Sequence, residues 1–367
     1  MVKNLKTKLL SLLMVGTIFV TGCGSKDKQN IEKLNTPNEA IITYLNTGNS
    51  DAILVEQGDK NLLIDSGDND DEKFMVDYLK KENIDKIDYF LLTHFDADHI
   101  GGADKIIDNI EVGKIFVPNG DADTKTYRDF IKSTSDKGVY PSVPLEGAKF
   151  ELGNVYFQIF NTKGGVNRND DSLIVKMTNG KDTFAFMGDA GKEIEKRVAS
   201  KIGDVDVLKA GHHGSHTSSG YDFVKAISPE YAIVMCGVDN RYGHPHKEVV
   251  DTFKEFGVKV HRSDECGDIV FTSTGNGVYT NCKDGSYKVG TNSKYSEKEE
   301  YTNETITEEV VKDSTDVVQN NAKTVYWTPN GEVYHLTEDC HTLSKSKVIN
   351  QGSISESEKP RAHKNCK

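Results

Sequence analysis

The stretch that decides the reading is Thr93-His94-Phe95-Asp96-Ala97-Asp98-His99-Ile100-Gly101-Gly102, in which four potential metal ligands fall within six residues. It follows the apolar run Ile87-Asp88-Tyr89-Phe90-Leu91-Leu92, which reads as a buried strand. Two imidazoles and two carboxylates are thereby gathered at the C-terminal edge of a strand. Packing alone requires no such group, so the segment points to chemistry.

The 367 residues suffice for one large domain and a smaller module, and composition is ordinary for a globular chain at 36% hydrophobic and 28% charged. The N-terminus differs. Lys3, Lys6 and Lys8 precede an apolar stretch from Leu9 to Val20, too short to span a bilayer but of signal-peptide length. It ends Val20-Thr21-Gly22-Cys23 and runs into polar Gly24-Ser25-Lys26-Asp27-Lys28, which resembles a bacterial lipobox. That resemblance implies a signal peptide over residues 1–22 and lipidation of Cys23. The mature chain is then expected on the extracytoplasmic face, held to the cell membrane by acyl chains. Removal of residues 1–22 takes three lysines and no acids from a chain whose formal charge is already −12. This argues against a broadly cationic nucleic-acid-binding surface.

After a tether over 23–39, short apolar runs alternate with helical patterns from 40 to 289. Strands are expected at 52–55, 61–65, 87–92, 155–160, 172–177, 183–187, 205–208 and 231–235, with a hairpin of 269–272 and 278–280. Helices are expected at 72–81, 103–109, 127–133, 192–200, 221–226 and 247–256. The mixture predicts an α/β fold with helices outside sheets. Cys266 and Cys282 flank the hairpin and could form a disulfide, whereas Cys236 reads as a buried thiol. Residues 290–321 read as an acidic linker, and 322–367 as a small module.

Three further groups sit where strands give way to loops: Asp189, the run His212-His213-Gly214-Ser215-His216, and His244-Pro245-His246. In a sheet-based fold such ends gather at one edge. Together with the opening segment they resemble the metallo-β-lactamase fold: His94-x-Asp96-x-Asp98-His99 followed by Gly101-Gly102 is its signature, with aspartate at the second position. Segments 46–52, 64–67, 187–189, 208–215 and 242–246 are similar to the nuclease-like domain of the ComEC competence proteins, and more distantly to the pneumococcal phosphorylcholine esterase.

The resemblance implies an αββα sandwich with a two-metal centre at one edge. His94 and Asp96 would bind one ion, Asp98 and His99 the other, Asp189 would bridge them, and His213 rather than His212 would complete the second site. The family often has a further ligand before the bridging aspartate; the segment here, Asn167 to Ser172, has no histidine, leaving Asn169, Asp170 or a water for that place. Zinc is the first choice on family grounds, with manganese open because imidazoles and carboxylates are mixed. The expected reaction is metal-dependent hydrolysis of a phosphodiester. Asp98 would orient the attacking water, and His246 or His244 would serve a phosphate oxygen or the leaving group. Lys209 and Ser215 are phosphate-contact candidates, a structural role for Lys209 being the alternative.

The tail carries His335, Cys340, His363 and Cys366, which resemble a Cys-rich module found after some exported nucleases and could make a four-ligand zinc site. A Cys340–Cys366 disulfide is the alternative. The leading expectation is a membrane-anchored extracytoplasmic phosphodiesterase or nuclease acting on DNA or another phosphodiester. A β-lactamase or lactonase-type hydrolase, and a non-catalytic metal-binding surface lipoprotein, are the alternatives.

Overall fold

The computed structural model describes residues 38–291 and three short strands in the tail, Val325–Trp327, Tyr334–His335 and Asn350–Gly352. The chain divides into two compact units, Met1–Tyr301 and Thr302–Lys367. Cys23, Cys340, His363 and Cys366 lie outside the described residues, as do the signal peptide and most of the expected linker.

The large unit is two seven-stranded sheets. The first takes β1 (Ala40–Tyr44), β2 (Ile53–Gln57), β3 (Lys60–Ile64), β4 (Lys86–Leu91) and β5 (Glu111–Phe116). The second takes β6 (Lys149–Leu152), β7 (Val155–Phe160), β8 (Ile174–Asn179), β9 (Asp182–Phe186), β10 (Val207–Lys209), β11 (Tyr231–Val234) and β12 (Lys259–Arg262). The hairpin β13 (Ile269–Ser273) and β14 (Val278–Thr280) returns to the first sheet, where β13 pairs antiparallel with β1. A Cys266–Cys282 disulfide, with Cα atoms 6.1 Å apart, closes this hairpin, and Cys236 is a buried free thiol.

The internal strands bury both faces, so their apolar runs are nearly continuous. Ile53, Val55, Leu62 and Ile64 join Phe157, Val175, Phe184 and Phe186 in the core between the sheets. The intervening residues face outward. Leu54, Leu63 and Phe90 pack beneath the helices α1 (Glu72–Lys81), α2 (Ala97–Ile100), α3 (Ala103–Asn109) and α4 (Lys125–Lys137). Ala185, Leu208 and Ala232 pack beneath α5 (Lys192–Ile202), α6 (Tyr221–Ile227) and α7 (Lys247–Glu255). The order is helix, sheet, sheet, helix: an αββα sandwich.

β5, β6 and β12 escaped the sequence reading for a common reason. All three are edge strands, and their charges, as in Glu111, Lys114, Lys149, Glu151, Lys259 and Arg262, dilute the apolar pattern, as edge strands do to discourage association. β1, an internal strand of five residues like β2 and β3, was not among the expected strands.

The parallel portions position the site. β3 and β4 run parallel, as do β9, β10 and β11. The loops after Ile64, Leu91, Phe186, Lys209 and Val234 therefore leave at strand C-termini, and they carry the polar groups. The His94–His99 segment is seated by its own glycines. A Cβ on Gly101 would lie 2.1 Å from the carbonyl carbon of Asp68, and one on Gly102 would lie 2.6 Å from the Ser66 carbonyl oxygen. The clash is with backbone that cannot move aside locally. Gly101→Ala is therefore expected to cost about 2–3 kcal/mol or more in urea unfolding; unchanged stability would mean the 65–69 loop is not fixed against α2.

Candidate metal centre

The centre begins with Asp65, which follows β3 at φ 58°. Its Oδ1 accepts the Thr93 amide at 2.7 Å, and its Oδ2 accepts the Thr93 hydroxyl at 2.7 Å and His99 Nδ1–H at 2.8 Å. Backbone bonds brace the same loops: Ser66 N to His99 O (2.7 Å), Asp51 N to Asp98 O (3.0 Å) and Gly101 N to Gly67 O (2.9 Å). With Nδ1 committed to Asp65, His99 turns Nε2 to within 3.2 Å of Asp189 Oδ1. Carboxylates commonly fix metal-binding imidazoles this way.

His213 is held by the same device from the other sheet. Its Nδ1 donates to Met235 O at 3.1 Å and lies 3.3 Å from Asp51 Oδ1. Nε2 then lies 3.4 Å from Asp98 Oδ2 and 3.8 Å from Asp189 Oδ2. Ligand atoms of Asp98, His99, Asp189 and His213 all fall within 4.8 Å of one another. Nε2 of His94, His99 and His213 and Oδ1 of Asp189 are buried without a hydrogen bond of acceptable geometry. Buried orphan atoms are costly, and converging imidazole nitrogens and carboxylates are the donor set a divalent cation satisfies. The residues fit a metal.

Electrostatics agree. Burial disfavours the imidazolium of His99 and His213, but the aspartates outweigh it: Asp189 and Asp65 hold His99 well above its ordinary value, and Asp189 and Asp51 push His213 up to about 9. Burial works against the carboxylates of Asp189 and Asp98 as well, yet the imidazoles keep both well below the usual range. His94, buried and beside His99, is pushed down to about 3 and stays neutral.

The part expected for the other ion is arranged differently. Asp96 Oδ2 lies 3.8 Å from His94 Nε2, but its Oδ1 is paired with Arg168 Nε at 2.8 Å. Asn169 lines the cavity and stands 3.4 Å from the His212 ring nitrogens, whereas Asp170 accepts Asn167 Nδ2 and the Gly191 amide. His212, passed over in favour of His213, lies with Nε2 3.5 Å from Asp189 Oδ2. Both histidines flank the aspartate expected to bridge.

Three sequence-derived roles, those of Lys209, Ser215 and His246, are corrected. Lys209 is fully buried and ion-paired with Asp51, so it cannot reach a substrate and serves structure. Ser215 is likewise buried and accepts from Thr217. His246 has both ring nitrogens engaged, Nδ1 by the His216 amide at 3.0 Å and Nε2 with Tyr242 O at 3.0 Å. His244 lines the cavity instead, 4% exposed, its Nδ1 buried and without a partner. In the tail, His335 lies on the Tyr334–His335 strand.

The reading of the sequence assigned no roles to Asp51, Asp65 or Arg168. Asp51 and Asp65 sat inside segments that carried the resemblance, which was the available signal. Arg168 had none.

Two outcomes follow from this geometry. Metal-free His99 and His213 carry protons at pH 7, and a metal needs the same lone pairs, so uptake should release about two protons per chain. Apparent affinity then falls as pH drops below about 9, the value for His213. Calorimetric titration in buffers of different protonation enthalpy reads this, and buffer-independent heats would refute it. Lys209→Met leaves Asp51 buried without its lysine and should cost about 3–5 kcal/mol in unfolding; a catalytic lysine would instead leave stability intact.

A family model for the Metallo-beta-lactamase superfamily matches residues 45–238, more than half of the chain. ComE operon protein 3 of Bacillus subtilis (strain 168) is 30% identical over 204 residues, covering 54% of this chain and 26% of that protein. Competence protein ComA of Neisseria gonorrhoeae is 29% identical over 248 residues, 64% of this chain and 32% of that one. The chain thus spans about a quarter to a third of the length of these curated relatives. Among solved structures, the metallo-beta-lactamase fold protein YhfI from Bacillus subtilis aligns at 14% identity and TM-score 0.46, over 64% of this chain and 100% of that one. The chain belongs to the metallo-beta-lactamase superfamily.

Proposed function

We propose that this chain is a metal-dependent phosphodiesterase, acting on DNA or another phosphodiester, exported and held at the outer face of the membrane by a lipid on Cys23. The observation that carries the hydrolytic reading is the convergence of Asp98, His99, Asp189 and His213 ligand atoms, with Asp98, Asp189 and His213 lining one cavity and the orphaned His94 and His99 nitrogens buried behind it. Likeness to a protein named for competence supports the phosphodiester. Zinc is the first choice on family grounds, with manganese open because three histidines stand with three aspartates.

Divalent ions bound there would supply a water acidic enough to attack near neutral pH and would offset charge building on the phosphate. Asp98, its side chain 30% exposed at the cavity and held ionised by His213 and His99, accepts a hydrogen bond from that water and orients it. His244, pushed down to about 3 by burial and by His213, is neutral and offers a hydrogen bond to a phosphate oxygen. Arg168, half exposed at the rim, presents a cation to an anionic substrate. Water's oxygen adds to phosphorus, the bond to the leaving oxygen breaks, and the proton the water gives up passes through solvent to that oxygen.

The full chain loaded with Zn²⁺ or Mn²⁺ is expected to cleave bis(p-nitrophenyl) phosphate, and Asp98→Asn to lower kcat/KM by about 10³-fold. Assays on single- and double-stranded DNA identify the polymer substrate. Turnover of nitrocefin with every phosphodiester left intact would sink the reading.

A further inference from the structure

Two cavities share a wall at the metal centre. The first, about 330 Å³, holds Asp98, Asp189 and His213. The second, about 560 Å³, runs from Asp98 past Asn49 to the 237–242 loop. Asn49, Asp98 and Tyr242 line both. The larger one has no metal ligands beyond Asp98, so the hydrolytic centre leaves its use unexplained.

Its outer end is an aromatic plate. Tyr242 is 44% exposed, and its ring lies within 18° of the plane of His244, centroids 5.5 Å apart. The Arg241 guanidinium sits 4.7 Å from the Tyr242 ring centre and also bonds the phenol oxygen. Val238 adds an apolar side chain that is 70% exposed. At the shared wall, Oδ1 of Asn49 is buried and has no hydrogen-bond partner. A flat π-surface with a stacked guanidinium, an unmet amide and a phosphate-scale site alongside is the chemistry of base recognition.

We propose that the second cavity is a nucleoside subsite that takes one unpaired base with its sugar, the base on the Tyr242–Arg241 plate and the adjoining phosphate at the metal centre. This rests on the phosphodiesterase reading. Bases inside a duplex hide their faces from such a plate, so the substrate class is a single strand or a nucleotide end. The acidic balance of the chain agrees, since one nucleotide in a cavity needs no long cationic track. A choline headgroup suits the site less well, because the Arg241 cation on the ring repels a quaternary ammonium.

The test measures base preference with the metal-loaded full chain. Calorimetry compares thymidine 5′- and 3′-monophosphate with 2-deoxyribose 5-phosphate, which keeps sugar and phosphate but lacks the base. A thymidine monophosphate should bind about tenfold more tightly; Tyr242→Ala should erase that difference and Tyr242→Phe should keep it. In parallel, thymidine 5′-(p-nitrophenyl phosphate) should exceed methyl p-nitrophenyl phosphate in kcat/KM, and Tyr242→Ala should lower that ratio by about the same factor. Cleavage of both esters without base preference overturns the subsite while leaving the phosphodiesterase standing. Tyr242-dependent nucleotide binding with no ester cleaved overturns the phosphodiesterase and keeps the subsite. Selectivity for O-(4-nitrophenylphosphoryl)choline over the thymidine ester, or a preference that survives Tyr242→Ala, also overturns the subsite.

Discussion

Buried negative charge is the constraint on which the rest depends. Asp51, Asp65 and Asp189 lie in the interior with at most 3% of their surface exposed, where an unpaired carboxylate is very costly. Each is answered by a cation or a donor held nearby. Lys209 and His213 face Asp51, and His99 and Thr93 face Asp65. Asp189 has His99, His212 and His213 within 3.8 Å. His99 and His213 thereby have one nitrogen spent on a structural carboxylate or carbonyl and the other turned toward Asp189, whereas His212 spends its Nδ1 on the Thr217 hydroxyl. A scaffold that solved its charge problem with lysines alone would leave no ligands over.

This compensation crosses the sandwich. Asp51, Asp65, His94, Asp98 and His99 come from the first sheet's strand connections, α2 included, and Lys209, at the end of β10, with Asp189 and His213 from the second sheet and its connections. The Asp51–Lys209 and Asp51–His213 contacts tie the two halves at the edge where their strands end. The site is thus completed only when Ile53, Ile64, Phe184 and Phe186 pack between the sheets. Core packing and ligand geometry are one event, and a loss in either is felt in the other.

What the sequence made legible was local. His94 to Gly102 could be read because its ligands are close in the chain and follow an apolar strand, and an α/β fold with helices outside sheets because buried strands leave apolar runs between helical patterns; the αββα order came only through the family resemblance. Asp189 and His213 were reached through motif resemblance. The Asp51–Lys209 pair was illegible because its members are distant in the chain, and a lysine at a strand end looks the same whether it points inward or to solvent. The choice between His244 and His246 turned on backbone detail: His246 caps α7, and its ring is drawn to His216 and Tyr242. No spacing rule reports that.

The asymmetry of the centre bears on what it can hold. One half offers Asp98, His99, Asp189 and His213 already converged. The other offers His94 and an Asp96 whose carboxylate is shared with Arg168. A guanidinium on a ligand carboxylate competes with a cation for the same charge, so an ion in that half must displace Arg168 or accept a weaker ligand. His212, 3.5 Å from Asp189, is a neutral donor for it, burial having lowered its affinity for a proton. Arg168 released from Asp96 would remain at the cavity rim as a cation for an anionic ligand, so that metal loading and the cavity's appetite for anions rise together. The substitution of aspartate for a second histidine at position 96 therefore changes more than hardness: it makes one half of the centre responsive to the positive charge beside it.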